Sequence, residues 1–101
     1  MKKIYLFCAA GMSTSVLVKK MQEAAEKENY ACEIIAYPVA DVSTYGPEAD
    51  IILLGPQVRY ETDKVKKLLP DKIVEAINMQ DYGLMRGNNV LKTARERMGD
   101  L

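Results

Sequence analysis

The sequence predicts an α/β fold, a small parallel sheet with helices on both faces. Three observations predict it. Four short apolar runs alternate with segments of helical periodicity. The runs at Ile4–Phe7 and Ile51–Leu54 lack a polar alternation, as in strands covered on both sides. Glycine and proline punctuate the joints.

The elements follow in order. Lys3 to Cys8 reads as a buried strand, with Ile4, Tyr5, Leu6 and Phe7 as β-formers. Gly11 to Ser15 reads as a loop. From Thr14 to Glu28 the pattern is helical, with Leu17, Met21, Ala24 and Ala25 on one face and mostly charged residues opposite. Asn29 stops that helix. Ala31 to Tyr37 is a second strand, ended by Pro38. Residues 39–49 form a connection with a short helix near Asp41 to Tyr45. Asp50 to Leu54 is a third strand, broken by Gly55-Pro56. A helix runs from Val58 to Leu69, with Val65, Leu68 and Leu69 as its apolar stripe and Pro70 as its stop. Lys72 to Ile77 is a fourth strand. Residues 78–87 are irregular or one helical turn. Asn88 or Asn89 caps a last helix to Met98, with Val90, Leu91, Ala94 and Met98 inward.

Composition limits the function. The 101 residues suit one domain, and 49% hydrophobic content suits a globular one. Fourteen Lys and Arg balance fourteen Asp and Glu. The basic surplus that phosphate neutralisation demands is absent, so nucleic acid is not an expected partner. The longest apolar run, Ile4 to Ala10, has seven residues, against about 20 for a spanning helix, so no membrane insertion is expected. Lys2 and Lys3 before that run, with Ala9-Ala10-Gly11 after it, imitate a short signal peptide. Cleavage would remove the first strand, so a cytoplasmic, reducing location is expected. There is no histidine, and the only cysteines are Cys8 and Cys32. No triad base is available, and no metal site or cofactor is expected.

In an open parallel sheet, ligands bind beyond the carboxyl ends of the strands. There the first strand ends at Cys8 and runs through Ala9-Ala10-Gly11-Met12-Ser13-Thr14-Ser15 into a helix. Small residues let several amides converge, the helix start adds unpaired N–H groups, and three hydroxyls can cap or donate. The expected guest of such a site is a phosphate. Cys8 is expected at its mouth, with its pKa lowered by the helix start and its thiolate able to attack phosphorus. The whole Cys-x2-Gly-x-Ser-Thr-Ser array after a buried strand carries this reading; a lone buried cysteine would not. Pairing of the first two strands is expected to set Cys32 beside Ile4, about 13 Å along the sheet from Cys8 at about 3.3 Å per residue. That exceeds disulfide reach, so Cys32 is read as packing.

The strand Ile4–Cys8 with its loop, Cys8 to Ser15, resembles the phosphocysteine motif of enzyme IIB in the lactose/cellobiose class of bacterial sugar phosphotransferase systems. Leu53-Leu54-Gly55-Pro56-Gln57 resembles the second signature of that family, and Tyr82-Gly83 with the closing helix also fits. The resemblance spans essentially the whole chain. It implies a single three-layer domain over residues 1–101, a four-stranded parallel sheet flanked by helices, similar to the low-molecular-weight tyrosine phosphatases. It implies that Cys8 accepts a phosphoryl group from a phosphohistidine on a IIA partner. The group then passes to a sugar, typically a β-linked disaccharide, as the membrane IIC permease translocates it. By the same resemblance, Ala9, Ala10, Gly11, Met12, Ser13, Thr14 and Ser15 form the phosphate cradle. Gly55, Pro56 and Gln57 lie beside it as loop-shaping or partner contacts. Tyr82 is either a rim residue or packing under the last connection. An apolar rim of Met12, Pro56, Tyr82 and Tyr60 is expected to receive both partners.

Two other readings remain open from the residues. A low-molecular-weight phosphatase would carry Cys-x5-Arg, but that position is Thr14, and no aspartate lies between Cys8 and Asp41. A non-catalytic anion-binding module would hold Cys8 as an inert thiol of ordinary or raised pKa.

Overall fold

The structure is a computed structural model that describes residues 1–9 and 11–100, and for residues 11–13 the backbone alone. Lys2–Cys8 (β1), Cys32–Pro38 (β2), Ile51–Leu54 (β3) and Ile73–Ala76 (β4) form one parallel sheet in the order β2-β1-β3-β4. β1 is therefore central, hydrogen-bonded to β2 on one side and β3 on the other. Because successive side chains alternate across a strand, the unbroken apolar runs feed both faces. Ile4, Leu6 and Cys8 join Ile34, Ile51 and Leu53 on one side. Tyr5 and Phe7 join Ile52, Leu54 and Val74 on the other.

Gly11–Lys27 (α1), Met79–Gly83 (α4) and Gly87–Met98 (α5) cover the first face. Leu17, Met21, Ala24 and Ala25 are all buried, as the helical spacing requires. Val42–Tyr45 (α2) and Thr62–Leu68 (α3) cover the second through Val42 and Val65. Tyr45 stacks on Tyr37 at 4.0 Å between ring centroids and ties the connection after β2 to the sheet. Asn29 ends α1 in the left-handed region at φ 52°, with the Tyr30 amide returning to the Ala25 carbonyl.

Several boundaries differ from the expected ones. α1 starts at Gly11 rather than Thr14, so most of the expected loop is helix. The helix expected from Val58 divides into a 3-10 segment, Pro56–Glu61, and α3; Val58, at φ −119°, interrupts the helical path. Leu68 is consequently exposed, while Leu69 packs beneath. α5 starts at Gly87, with Arg86 preceding it and no side-chain cap, so neither Asn88 nor Asn89 caps it. Cys32 stands opposite Lys2, not Ile4. It lies six residues from the register of Cys8, roughly 20 Å at about 3.3 Å per residue, and both thiols are free.

Gly87 marks where α5 touches α1. A Cβ there would meet the Lys20 carbonyl carbon at 2.5 Å and the Met21 nitrogen at 2.6 Å. Backbone atoms cannot step aside as a flexible side chain can. Gly87→Ala is expected to destabilise the fold by about 1–3 kcal/mol. Thermal denaturation should show it as a Tm lower by roughly 4–8 °C per kcal/mol; an unchanged Tm would refute this packing.

Candidate functional site

Cys8 is the last residue of the central strand, and three chain segments converge on it. The Gly55 amide donates to the Phe7 carbonyl at 2.9 Å, which brings the segment after β3 alongside the end of β1. Gly55 has φ −59° and ψ 150°, a conformation open to any residue. Its lack of a side chain therefore has a steric reason rather than a torsional one. A Cβ there would stand 2.7 Å from Cys8 Sγ and 3.0 Å from Gln57 Oε1. Gln57 is exposed along much of its surface, yet its carboxamide oxygen folds back over Gly55. Pro56, half-buried between them, starts the 3-10 segment.

From the other side comes Thr14, in the second turn of α1, with no exposed surface. Its hydroxyl is close enough to the Cys8 sulfur to favour the thiolate, and it lies 3.2 Å from the hydroxyl of Tyr82. Tyr82 reaches it from α4. That helix begins at Asn78, whose side-chain oxygen accepts from the Gln80 and Asp81 amides and so anchors its first turn. Tyr82 is 7% exposed. Its ring lies in the core on the α1 face.

The sulfur itself differs from expectation. Cys8 is 2% exposed and belongs to the core on the α1 face rather than to an open mouth. Burial pushes its thiol pKa up, because a thiolate loses water there. The Thr14 hydroxyl and the Gly55 backbone oppose that rise by bonding the anion, but desolvation dominates and the expected lowering is not found.

Of the expected cradle the structure describes a part. Ala9 is exposed, Ala10 lies outside the described residues, and helix begins at Gly11. The amides of Gly11, Met12 and Ser13 open that helix, where N–H groups have no intrahelical acceptor; their side chains lie outside the described residues. Thr14 turns inward and Ser15 outward. Cys8, Thr14, Gly55 and Gln57 come together, with Tyr82 joined through Thr14. Of the expected apolar rim, Tyr60 is 76% exposed, following β3. Exposed Val16, Met79 and Leu84 lie in segments that also leave the carboxyl side of the sheet and were not anticipated. Among the described residues, no group of three or more Cys, Asp and Glu could hold a metal ion, and no helix is long and apolar enough to cross a membrane.

Comparison with known proteins agrees with this architecture. The family described as the lactose/cellobiose-specific IIB subunit of the PTS system matches residues 3–93. A galactose-specific EIIB component of Lactococcus lactis subsp. cremoris is 45% identical over 104 residues, covering 96% of each chain. A cellobiose-specific EIIB component of Lactococcus lactis subsp. lactis is equally similar, at 45% over 96% of each chain. An oligo-beta-mannoside-specific EIIB component of Bacillus subtilis is 36% identical over 97% of each. Among solved structures, the lactose-specific IIB domain of Streptococcus pneumoniae shares the fold with a TM-score of 0.84 at 18% identity, over 95% of this chain and 96% of that one. The cellobiose-specific IIB protein of Borrelia burgdorferi superposes with a TM-score of 0.81 at 34% identity, over 98% and 93%. The chain therefore belongs to the lactose/cellobiose-specific IIB subunits of the phosphotransferase system, which act as phosphotransferases in sugar uptake.

Proposed function

We propose that this chain, a single domain over residues 1–101, carries a phosphoryl group on Cys8 between a IIA donor and a sugar bound at a membrane IIC permease. The permease would hold it at the cytoplasmic face. A β-linked disaccharide is the expected class of sugar, in keeping with the cellobiose and oligo-mannoside specificities named for its relatives. The observation that supports Cys8 most is its setting: a sulfur at the end of the central strand, beside the first turns of α1, with the buried Thr14 hydroxyl and the Gly55 backbone both close enough to favour its thiolate. An inert core cysteine needs neither group, and it needs no glycine cut away to admit its sulfur.

Burial disfavours the free thiolate, so the proposed transfer starts from the neutral thiol. With the thiol neutral, the phosphorus–nitrogen bond of the donor's phosphohistidine breaks as the sulfur–phosphorus bond forms. The thiol proton passes to the released imidazole nitrogen. This chain has no histidine of its own, so the donor supplies the base. In the second transfer a sugar hydroxyl oxygen attacks phosphorus, the sulfur departs, and the hydroxyl proton ends on the sulfur. Each step exchanges one bond to phosphorus and one proton. Amides at the α1 start and the Gln57 carboxamide are the groups available to the phosphoryl oxygens.

Hydrolysis is the chemistry to be avoided. Thr14 occupies the position of a phosphatase arginine and is buried against the sulfur rather than clamping an anion. No carboxylate is among the groups acting on the thiol. Incubation with a phosphorylated IIA protein should add one PO3 group by intact mass, stable for far longer than one transfer cycle. Turnover of an aryl phosphate by the chain alone should be negligible. Rapid steady hydrolysis would favour the phosphatase reading, and a chain that never gains mass would favour an inert anion-binding module.

A further inference from the structure

Thr14 and Tyr82 form a buried polar pair that packing alone does not call for. Valine and phenylalanine would fill the same volumes, and two hydroxyls that satisfy only each other add little to stability. Thr14 is nevertheless the one fully buried polar side chain among the described residues. Its oxygen lies 3.2 Å from Tyr82 Oη, and its hydroxyl also acts on the Cys8 thiol, where it favours the thiolate. A hydroxyl has one proton to give and lone pairs to receive others, so Thr14 cannot donate to both at once. We propose that Tyr82 is a positioning residue for Cys8, acting through Thr14: the two hydroxyls turn the single Thr14 proton toward the sulfur as the sulfur gives up its own.

In the thiol form, S–H donates to Thr14 Oγ1 and Thr14 donates to Tyr82 Oη. Once the sulfur has lost its proton, the direction reverses. Tyr82 donates to Thr14, and Thr14 donates to the sulfur. Either direction of the Thr14–Tyr82 bond fits the geometry. Donors in a chain strengthen one another away from water, so Tyr82 makes Thr14 the better donor without touching the sulfur. The other influences on the thiol are its burial and the Gly55 backbone; no charged side chain from α1, α4 or the segment after β3 is among them. The segments involved lie far apart in sequence, 68 residues between the two hydroxyls, and α4 is held by its own cap and by Asn89 Nδ2 donating to Asp81 at 3.3 Å.

The role in transfer rests on the phosphocysteine reading, while the thiol titration tests the relay with no donor present. In a Cys32→Ser background, the pH dependence of iodoacetamide alkylation, followed by intact mass, reports Cys8 alone. Tyr82→Phe should move the midpoint to higher pH and slow phosphoryl acceptance from phosphorylated IIA about threefold to tenfold, with the Tm nearly unchanged. Thr14→Val should do more, and Thr14→Ser should restore most of both. In the Thr14→Val background, Tyr82→Phe should change neither quantity, because the link it acts through is gone. If Thr14→Val fails to fold, Thr14→Ala provides the same background. Equal slowing by Tyr82→Phe in both backgrounds would mean that the tyrosine touches the phosphoryl group directly. An unmoved midpoint would mean that the pair only packs. Either result overturns the relay. A parent chain that titrates as described but never gains phosphate would overturn the phosphocysteine reading instead.

Discussion

Cys8→Ser abolishes phosphate gain from a phosphorylated IIA partner, while Cys32→Ser leaves it at the parental rate. Serine is nearly isosteric, so the fold survives with a stability change within about 1 kcal/mol. Its oxygen, however, is a weak nucleophile without a neighbouring base, and this chain contains no histidine to activate it. The expected fall in initial rate is on the order of a thousandfold or more, the size seen when a nucleophile is removed. Intact mass over time measures it, with the position of the phosphate read from peptide fragments. Cys32 serves as the internal control because it lies opposite Lys2 at the far end of β1. Labelling lost on Cys32→Ser, or retained on Cys8→Ser, would contradict the assignment of the sulfur.

Gly55→Ala has the next largest expected effect, and it separates the site from the fold. The backbone at Gly55 suits alanine, and restricting the unfolded chain would by itself stabilise by about 0.4–1 kcal/mol. Against that, the new methyl group stands 2.7 Å from Cys8 Sγ and 3.0 Å from Gln57 Oε1. The sulfur must rotate away from the Gly55 amide or the Gln57 carboxamide must leave. Overpacking of this kind costs about 1–3 kcal/mol, so the Tm falls by only several degrees. Displacing a nucleophile by about an ångström can cost roughly a hundredfold in rate. Phosphoryl acceptance is therefore expected to drop about tenfold to a hundredfold in a protein that remains folded by circular dichroism. Acceptance at the parental rate would show that the close approach of sulfur and glycine has no part in transfer.

The strands were legible because burial on both faces leaves an unmistakable local record: Ile4–Phe7 and Ile51–Leu54 are apolar at every position. The inner faces of α1 and α5 were legible for the same reason, through a spacing of three and four. Boundaries were less so. Gly11 and the hydroxyls of Ser13, Thr14 and Ser15 have turn and cap preferences, and those suggested a loop where α1 already runs. Thr14 belongs to the helix because its side chain finds partners in the core, and no local rule anticipates them. Val58 was read as helical from its neighbours, but its burial beneath the 3-10 segment interrupts the helix instead. Tyr82 could be read either way until α4 was seen to turn its ring inward. Neither the exposed Met79 and Leu84 nor the folded-back Gln57 had a sequence signal.

The order of elements, the cysteine at the end of a central strand and the family follow from the sequence by itself, since each depends on the residue types of a few neighbouring positions and their period. The acidity of that cysteine does not. It depends on how much water remains around one sulfur atom and on which dipoles replace it. Those are sums over Gly55 from the third strand's end, Thr14 from the first helix and the packing of both faces. Tertiary structure alone brought these segments together and pushed the thiol pKa up rather than down, because desolvation is a property of the assembled core and not of any stretch of chain.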